Sequence, residues 1–281
     1  MLVNLNEVLL DAKRNKYGIG LFNTTNLEMA KGVIAAAEEL RSPVIVGTAE
    51  ILLPSGSLTE IRDILLPMAE RASVPVVLHF DHGLSEEKVI EALRLGYSSI
   101  MYDCSVDEYE TNIEKVKRMT DIAHAFGATV EAELGHVGAN DQSAESENQD
   151  DSIYTEPKQA AEYAKATGVD ALAVAIGSAH GAYKETPKLD IERLKDITAM
   201  VDIPLVLHGG SGLSDDDFRN CIQNGIAKIN IFTDINCAAA DAAMSIYEKG
   251  VGLSQFSPRM VEAVKEETKK KMLLFGSDNK A

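Results

Sequence analysis

Short runs of apolar, mostly β-branched residues recur along the whole chain, and this recurrence constrains the fold more than any other feature. Most of these runs are continuously apolar, as expected for strands that are covered on both faces. Eight runs predict strands: Ile19–Phe22, Pro43–Gly47, Pro75–Phe80, Ser99–Tyr102, Thr129–Ala132, Ala171–Ile176, Pro204–Leu207 and Ala227–Ile231. Apolar residues at helical spacing predict helices after them: Leu27–Leu40, Leu58–Ala72, Glu86–Leu95, Tyr109–Phe126, Lys158–Thr167, Ile191–Met200, Asp215–Asn224 and Ile235–Tyr247.

Eight strand–helix units predict an α/β protein with a single (β/α)₈ TIM barrel over residues 1–281. Two further predicted helices, Val3–Arg14 and Met260–Phe275, lie outside the alternation and extend the barrel at both ends. No linker divides the chain, and its 281 residues suit one barrel of about 250 residues plus these helices. A doubly wound open sheet is the alternative that the same alternation leaves open.

The net charge of the chain makes some classes of binding partner unlikely. A formal net charge of −17 repels nucleic-acid backbones and anionic membranes, so we expect neither as a partner. No apolar run approaches the ~20 residues of a membrane span, and we predict no signal peptide. Three cysteines do not suggest a disulfide framework. We therefore expect a cytoplasmic protein.

Side chains that can ligate, titrate or hydrogen-bond follow nearly every predicted strand, where barrels build their active sites. Three of them, His82, His180 and His208, are the ligand set of a catalytic zinc ion if they converge, although spacing alone equally allows three unrelated loop histidines. Asp103 and Glu133 end the two intervening strands. They could orient the histidines, hold a second metal ion or form salt bridges at the barrel rim.

The remaining histidines have different predicted roles. His79 lies two residues before Asp81, so both side chains point to the same side of the strand. We expect His79 to pack or hydrogen-bond beneath the site, His124 to lie at the surface and His136 to be solvated. His136 opens an acidic, low-complexity segment, residues 136–156, which we predict to be a long mobile loop. Such loops are usually solvated, but in barrels they are also the usual active-site lids.

Glycine-rich and polar segments follow the seventh and eighth strands. His208–Gly212 and Asn230–Thr233 each lead into a predicted helix, and barrels bind phosphate at this position through backbone N–H groups. The sequence therefore predicts a divalent metal ion beside a phosphate site, with the free carboxylate of Asp81 next to a ligand. That combination suits metal-assisted proton transfer in a phosphorylated sugar, and equally a phosphate-ester hydrolase or an isomerase.

Five segments resemble the class II, zinc-dependent ketose-bisphosphate aldolases, which include fructose- and tagatose-bisphosphate aldolases: Val77–Gly83, Glu131–Gly135, Ala175–Gly181, Leu205–Gly212 and Lys228–Thr233. The resemblance implies that His82, His180 and His208 ligate Zn²⁺. It implies that Asp81 exchanges a proton with the sugar's C4 oxygen while the C3–C4 bond breaks. Zinc would stabilise the resulting enediolate, so no Schiff-base lysine is needed.

The resemblance also assigns the other site residues. Asp103 and Glu133 match positions that take a second or displaced divalent metal ion. A monovalent cation near the phosphate loop and assembly into homodimers or homotetramers are further implications. The residues expected to bind the substrate, chiefly its dihydroxyacetone phosphate half, are Asn23, Gly181, Gly209, Gly210, Ser211, Asn230 and Thr233.

Two departures from the family pattern concern the rest of the substrate. The lid glutamate that moves the C3 proton in the family aligns with Asp141, which we predict to be catalytic although it is one methylene shorter. An arginine that grips the second phosphate in many members aligns with Val261, while Arg259 lies two residues earlier. We expect fructose or tagatose 1,6-bisphosphate as substrate. A monophosphorylated keto-deoxy sugar acid, or a weakly catalytic barrel that binds metal and phosphate, is the alternative.

Overall fold

The structure, a computed structural model, describes residues 1–138, 154–181 and 187–281. The strands in these ranges are β1 (Leu2–Val3), β2 (Ile19–Asn23), β3 (Val44–Ala49), β4 (Val76–Gly83), β5 (Ser99–Tyr102), β6 (Thr129–Leu134), β7 (Ala171–Val174), β8 (Leu205–Leu207) and β9 (Ile226–Ile231). The α-helices are α1 (Leu5–Asn15), α2 (Leu27–Leu40), α3 (Leu58–Arg71), α4 (Glu86–Arg94), α5 (Tyr109–Ala125), α6 (Pro157–Thr167), α7 (Ile191–Met200), α8 (Asp215–Gln223), α9 (Thr233–Ser245) and α10 (Leu253–Phe275). A 3₁₀ helix, Glu50–Ser55, follows β3.

Strands β2 to β9 close into a barrel. Each strand pairs in parallel with the next, and β9 pairs with β2 through Ile229 and Gly20, so the ring has no open edge. This closure confirms the predicted (β/α)₈ barrel and excludes the doubly wound open sheet. The two residues of β1 pair with the start of β4. None of the helices in the described ranges has the length and apolarity that a bilayer span requires.

Side chains just ahead of several helices explain where those helices begin. Ser57 and Ser214 each accept a hydrogen bond from the backbone three residues on, which satisfies an N–H that has no partner within α3 or α8. Asn26 does the same for α2. Helix α10 begins at Leu253, seven residues before the predicted start, because the helix continues through Pro258.

Four strands, β2, β3, β4 and β6, run further than predicted at their C-terminal ends, and the extra residues include residues of the site. Strand β4 continues to Gly83 and β6 to Leu134, so Asp81, His82 and Glu133 lie inside strands and not after them. The register between β4 and β5 shifts after Phe80, and His82 has a φ of 42°, in the left-handed region. Such irregularities re-aim side chains near active sites.

The barrel interior is apolar at its N-terminal end. Leu21, Ile45, Val77 and Val206 pack there in one buried cluster, and helix α1 closes the opening with residues that include Leu9. A second, larger cluster fills the space between the barrel and the outer helices. The C-terminal ends of the strands are therefore held in fixed positions around one mouth.

Candidate active site

A cavity of about 750 Å³ opens at the C-terminal ends of the strands. Of the residues predicted to form the site, His208 and Glu133 are fully buried beside the cavity. Asp141 lies outside the described residues, as does most of the predicted loop, residues 136–156. The others all line the cavity: Asn23, Asp81, His82, Asp103, His180, Gly181, Gly209, Gly210, Ser211, Asn230 and Thr233.

The three histidines converge. The ring centroid of His82 lies 4.9 Å from that of His180 and 4.5 Å from that of His208. One nitrogen from each ring lies within 4.8 Å of the other two. The interpretation as three unrelated loop histidines is therefore wrong.

Each imidazole has one nitrogen engaged and one nitrogen without a hydrogen bond. The Nδ1 of His82 donates to Asp103 Oδ2 (2.7 Å), and the Nδ1 of His180 donates to the carbonyl of Val137 (3.0 Å). The Nε2 of His208 donates to Glu131 Oε1 (2.9 Å). The opposite nitrogens, Nε2 of His82 and His180 and Nδ1 of His208, are buried and make no hydrogen bond. Three ring nitrogens without hydrogen bonds that converge beside an open cavity fit the three protein ligands of a catalytic divalent metal ion.

Burial and neighbouring charge shift the pKa values of these rings in opposite directions. Burial, together with the adjacent His82, lowers the pKa of His180 to about 4, so its ring is neutral at pH 7. Burial also acts on His208, but the carboxylates of Glu131 and Glu133 outweigh it and raise the pKa of His208 to about 10. A cation that binds His208 must therefore displace a proton from it.

Glu133 and Asp103 contact the histidines. Glu133 Oε2 lies 2.9 Å from His208 Nδ1 but off the line of a hydrogen bond, and Glu133 Oε1 accepts from the N–H of Val137 (3.0 Å). Burial raises the pKa of Asp103, but the hydrogen bond and charge of His82, together with hydrogen bonds from Ser105, outweigh it and hold that pKa well below its usual range. Oxygen atoms of both acids and one His82 nitrogen lie within 4.8 Å of one another, a set that could also hold a metal ion.

Asp81 is a buried, ionised carboxylate with two amide donors. Asn23 Nδ2 donates to its Oδ2 (2.7 Å), and Asn230 Nδ2 donates to its Oδ1 (3.0 Å). Burial raises the pKa of Asp81, but the positive charges of His82 and Lys228 hold it well below its usual range. The carboxylate is therefore unprotonated at neutral pH and held in one orientation at the cavity wall.

The loops after β8 and β9 meet over the N-terminus of α9. Gly209 has a φ of 65°, and a Cβ there would lie 2.3 Å from the carbonyl oxygen of Ala179, so no other residue fits. Ser211 Oγ accepts from the N–H groups of Phe232 (3.2 Å) and Asp234 (3.5 Å). These loops bring backbone to the cavity edge at a helix N-terminus, the arrangement in which barrels bind phosphate.

Comparison with known proteins agrees with this geometry. The chain matches the family model for class II fructose-bisphosphate aldolases over residues 3–280. The chain belongs to this family. It is 43% identical to the uncharacterized protein YdjI of Escherichia coli K12 over 271 residues, 96% of each chain. It is 39% identical to a fructose-bisphosphate aldolase of Thermus caldophilus over the full length of both chains.

Solved structures agree with the sequence relatives. The crystal structure of the YdjI aldolase from Escherichia coli K12 superposes with a TM-score of 0.90 at 40% identity and covers all of both chains. A putative fructose-1,6-bisphosphate aldolase from Coccidioides immitis superposes with a TM-score of 0.89 at 27% identity, over 99% of this chain and 97% of that one. The protein is therefore an aldolase, a lyase of carbohydrate metabolism, and its family is generally metal-dependent.

Within this aldolase barrel, two residues at the site were missed as candidates, Glu131 and Lys228. Both are fully buried inside the barrel, and Lys228 Nζ lies 2.8 Å from Glu131 Oε2. A lysine within the apolar run of β9 was the available signal, because lysine is almost never fully buried without a partner.

The three remaining histidines lie where they were expected. His79 is fully buried, and its Nδ1 lies 2.7 Å from Ser99 Oγ. The side chain of His124 is 45% exposed and that of His136 is 47% exposed.

Proposed function

We propose that this aldolase cleaves, and in reverse forms, the C3–C4 bond of a phosphorylated ketose, with dihydroxyacetone phosphate as one product. A zinc ion bound by His82, His180 and His208 would be its cofactor. The observation that carries this proposal is the set of three converging ring nitrogens without hydrogen bonds, next to the ionised Asp81. When bound there, a divalent cation supplies Lewis-acid stabilisation of negative charge on the ketone oxygen.

Asp81 would act as the acid/base at C4. In the cleavage direction its carboxylate takes the C4 hydroxyl proton, the C4 oxygen forms the aldehyde, and the electron pair of the C3–C4 bond moves towards the ketone. Asn23 and Asn230 donate to both carboxylate oxygens and so keep Asp81 in one place. Asp141, whose position is not described, would move the C3 proton.

The phosphate of dihydroxyacetone phosphate would bind the loops after β8 and β9. Gly209, Gly210 and Ser211 line the cavity there with Thr233, at the start of α9. The positive end of the α9 dipole and a bound cation would attract an anion in spite of the net charge of −17. Gly181, Asn23 and Asn230 complete the proposed substrate contacts, and a monovalent cation would bind near this loop.

The identity of the aldehyde half is the less constrained part of the proposal. Fructose and tagatose 1,6-bisphosphate are the first candidates, because relatives carry the name fructose-bisphosphate aldolase. A monophosphorylated ketose is the second candidate, because Ala49, Ile51, Leu52 and Leu84 form an apolar wall of the cavity. The described part of the cavity lining contains no Lys or Arg, and Arg259 is exposed on α10.

Three further proposals concern the setting of the enzyme. Asp103 and Glu133 would hold a second divalent ion together with His82. Assembly into a homodimer or homotetramer follows from the family resemblance. A cytoplasmic location agrees with three free cysteines, Cys104, Cys221 and Cys237.

A cleavage assay over several substrates tests the proposal. Fructose 1,6-bisphosphate, tagatose 1,6-bisphosphate and monophosphorylated ketoses are each offered to the zinc-loaded protein, and dihydroxyacetone phosphate is measured. We expect cleavage of at least one, its loss on chelation, its return with zinc, and no borohydride trapping of substrate on a lysine. Full activity without metal would contradict the proposal. Binding of dihydroxyacetone phosphate without any cleavage would favour the weakly catalytic barrel.

The matched pair His180→Ala and His124→Ala controls the assay. His180 presents a ring nitrogen to the cluster, whereas His124 is half-exposed on α5 and pairs with Asp170. We expect cleavage to be lost in the first variant and kept in the second.

A further inference from the structure

Lys228 is a fully buried cation that does not line the cavity. Its Nζ donates to Asn230 Oδ1 (2.7 Å) and lies 2.8 Å from Glu131 Oε2 and 3.1 Å from Glu131 Oε1. Apolar residues of similar volume often replace a buried ion pair at no cost in stability, so stability alone does not account for these two buried charges. The presence of a buried lysine and glutamate at this place therefore suggests a role in function.

Glu131 connects Lys228 to the histidine cluster. The same Oε1 of Glu131 that Lys228 approaches accepts the hydrogen bond from His208 Nε2 (2.9 Å). A carboxylate fixed in this way holds the proton on Nε2 and turns Nδ1 towards His82 and His180. Lys228 thus acts on the orientation of His208 through Glu131.

Asn230 connects Lys228 to the proposed acid/base, Asp81. An ammonium group can only donate hydrogen bonds, so the atom of Asn230 that faces it must be the amide oxygen. The NH₂ of Asn230 then has to point away from Lys228, and it donates to Asp81 Oδ1 (3.0 Å). Lys228 thereby sets which end of the Asn230 amide Asp81 meets.

We propose that Lys228 is a positioning residue that orients a metal ligand, His208, through Glu131 and the acid/base, Asp81, through Asn230. The proposal rests on the proposed function, because it assigns these two roles to His208 and Asp81. One buried cation then couples the geometry of both parts of the site. A mutation at Lys228 should disturb metal binding and turnover together, although Lys228 touches neither metal nor substrate.

A buried lysine in an aldolase also raises the alternative of Schiff-base chemistry. That chemistry needs an unprotonated amine that reaches the substrate carbonyl. Lys228 Nζ is instead engaged by a carboxylate and an amide oxygen, away from the cavity lining. Trapping of substrate on Lys228 by borohydride, located by peptide mass, would overturn the positioning role.

The test is Lys228→Met, which keeps length and removes the donors. We expect cobalt(II) affinity to fall 10- to 100-fold, the usual effect of losing a partner behind a metal ligand, and the visible spectrum of bound cobalt to change. At saturating metal, kcat should fall at least tenfold while KM changes less than threefold. Lys13→Met is the control, because the ammonium group of Lys13 is also engaged but at the other end of the barrel, where it donates to the carbonyls of Val201, Asp202 and Ile203.

A second variant separates the two connections and does not remove the cation. Glu131→Gln keeps a side chain of the same shape and should lower cobalt affinity and change the cobalt spectrum with a smaller effect on kcat at saturating metal. It also tests the proposal if Lys228→Met does not fold. A folded Lys228→Met protein with wild-type kcat, cobalt affinity and spectrum would overturn the proposal. If the wild type cleaves no ketose phosphate, the proposed function fails, while the cobalt measurements still decide the connection through Glu131.

Discussion

The two ends of the barrel interior differ in how they are held together. At the N-terminal end, Val77 and its neighbours in the other strands are apolar and pack against helix α1. Two and four residues further along the same strand, on the same side, His79 and Asp81 lie in a network of buried charges. The alternation of side chains along the strand therefore directs both sets of residues into the barrel. The inward-facing residues are apolar at the N-terminal end, called the floor here, and polar at the C-terminal end, called the mouth.

This difference predicts how each end tolerates change. Apolar packing is non-directional, so a smaller side chain leaves a cavity and lowers stability. A buried charge needs a partner at one place, so a change at the C-terminal end leaves another charge or dipole unmatched. Substitutions at the floor should therefore act on stability, and substitutions at the mouth on turnover.

The largest expected effect is at the mouth. Asp81→Asn keeps the shape of the side chain but removes the base, so kcat should fall by about 10²–10⁴-fold. Steady-state kinetics of cleavage with added zinc measure it. Metal content should stay near that of the wild type, since the proposed metal ligands are the three histidines and not Asp81. An Asp81→Asn protein with wild-type kcat would show that another group moves the C4 proton.

The second-largest expected effect is a loss of stability at the N-terminal end of the barrel interior. Leu9 is fully buried in the apolar cluster and Leu10, beside it on the same helix, is 46% exposed. Leu9→Ala should lower the free energy of unfolding by about 2–5 kcal/mol and leave kcat unchanged, whereas Leu10→Ala should change neither by much. Urea unfolding and cleavage kinetics of both variants make the comparison. A kcat loss in Leu9→Ala at full folding would mean that the floor also tunes the site.

The smallest expected effect is a loss of stability at low pH, and it involves His79, which lies between the two ends of the barrel interior. Burial, reinforced by the charge of Lys228, lowers the pKa of His79 to about 4 from an ordinary value near 6.5. The unfolded chain then binds more protons, so stability is complete above pH 6.5 and is lost as pH falls towards 4. In the metal-free protein His180 adds to this loss with the same sign, because its pKa is also lowered to about 4.

His79→Asn isolates the share that His79 contributes. We expect it to remove on the order of 2 kcal/mol of the loss between pH 6.5 and pH 4, measured by urea unfolding of the metal-free protein at several pH values. An unchanged pH dependence in His79→Asn would mean that His79 is not held neutral by its surroundings.

Sequence reasoning predicted the barrel and the histidine cluster for the same reason. Eight apolar strands followed by helices close in only a few ways, and the C-terminal ends of the strands then meet, so His82, His180 and His208 are expected at the same end of the barrel. Their convergence on one point was one of two interpretations that the spacing allowed. The extension of β4 through Asp81 and His82 was not predictable, because it depends on a register shift against β5. The contact of Lys228 with Glu131, 97 residues apart, depends on the register of strands across the barrel.

The central claim is that the three histidine nitrogens hold the metal ion on which cleavage depends. The most direct measurement is a titration of the chelator-treated protein with zinc, in which bound metal and cleavage rate are recorded together. The account predicts negligible activity without metal, a rise in proportion to the first equivalent bound, and no such rise in His180→Ala. Undiminished cleavage by protein with far less than one equivalent of metal would contradict it.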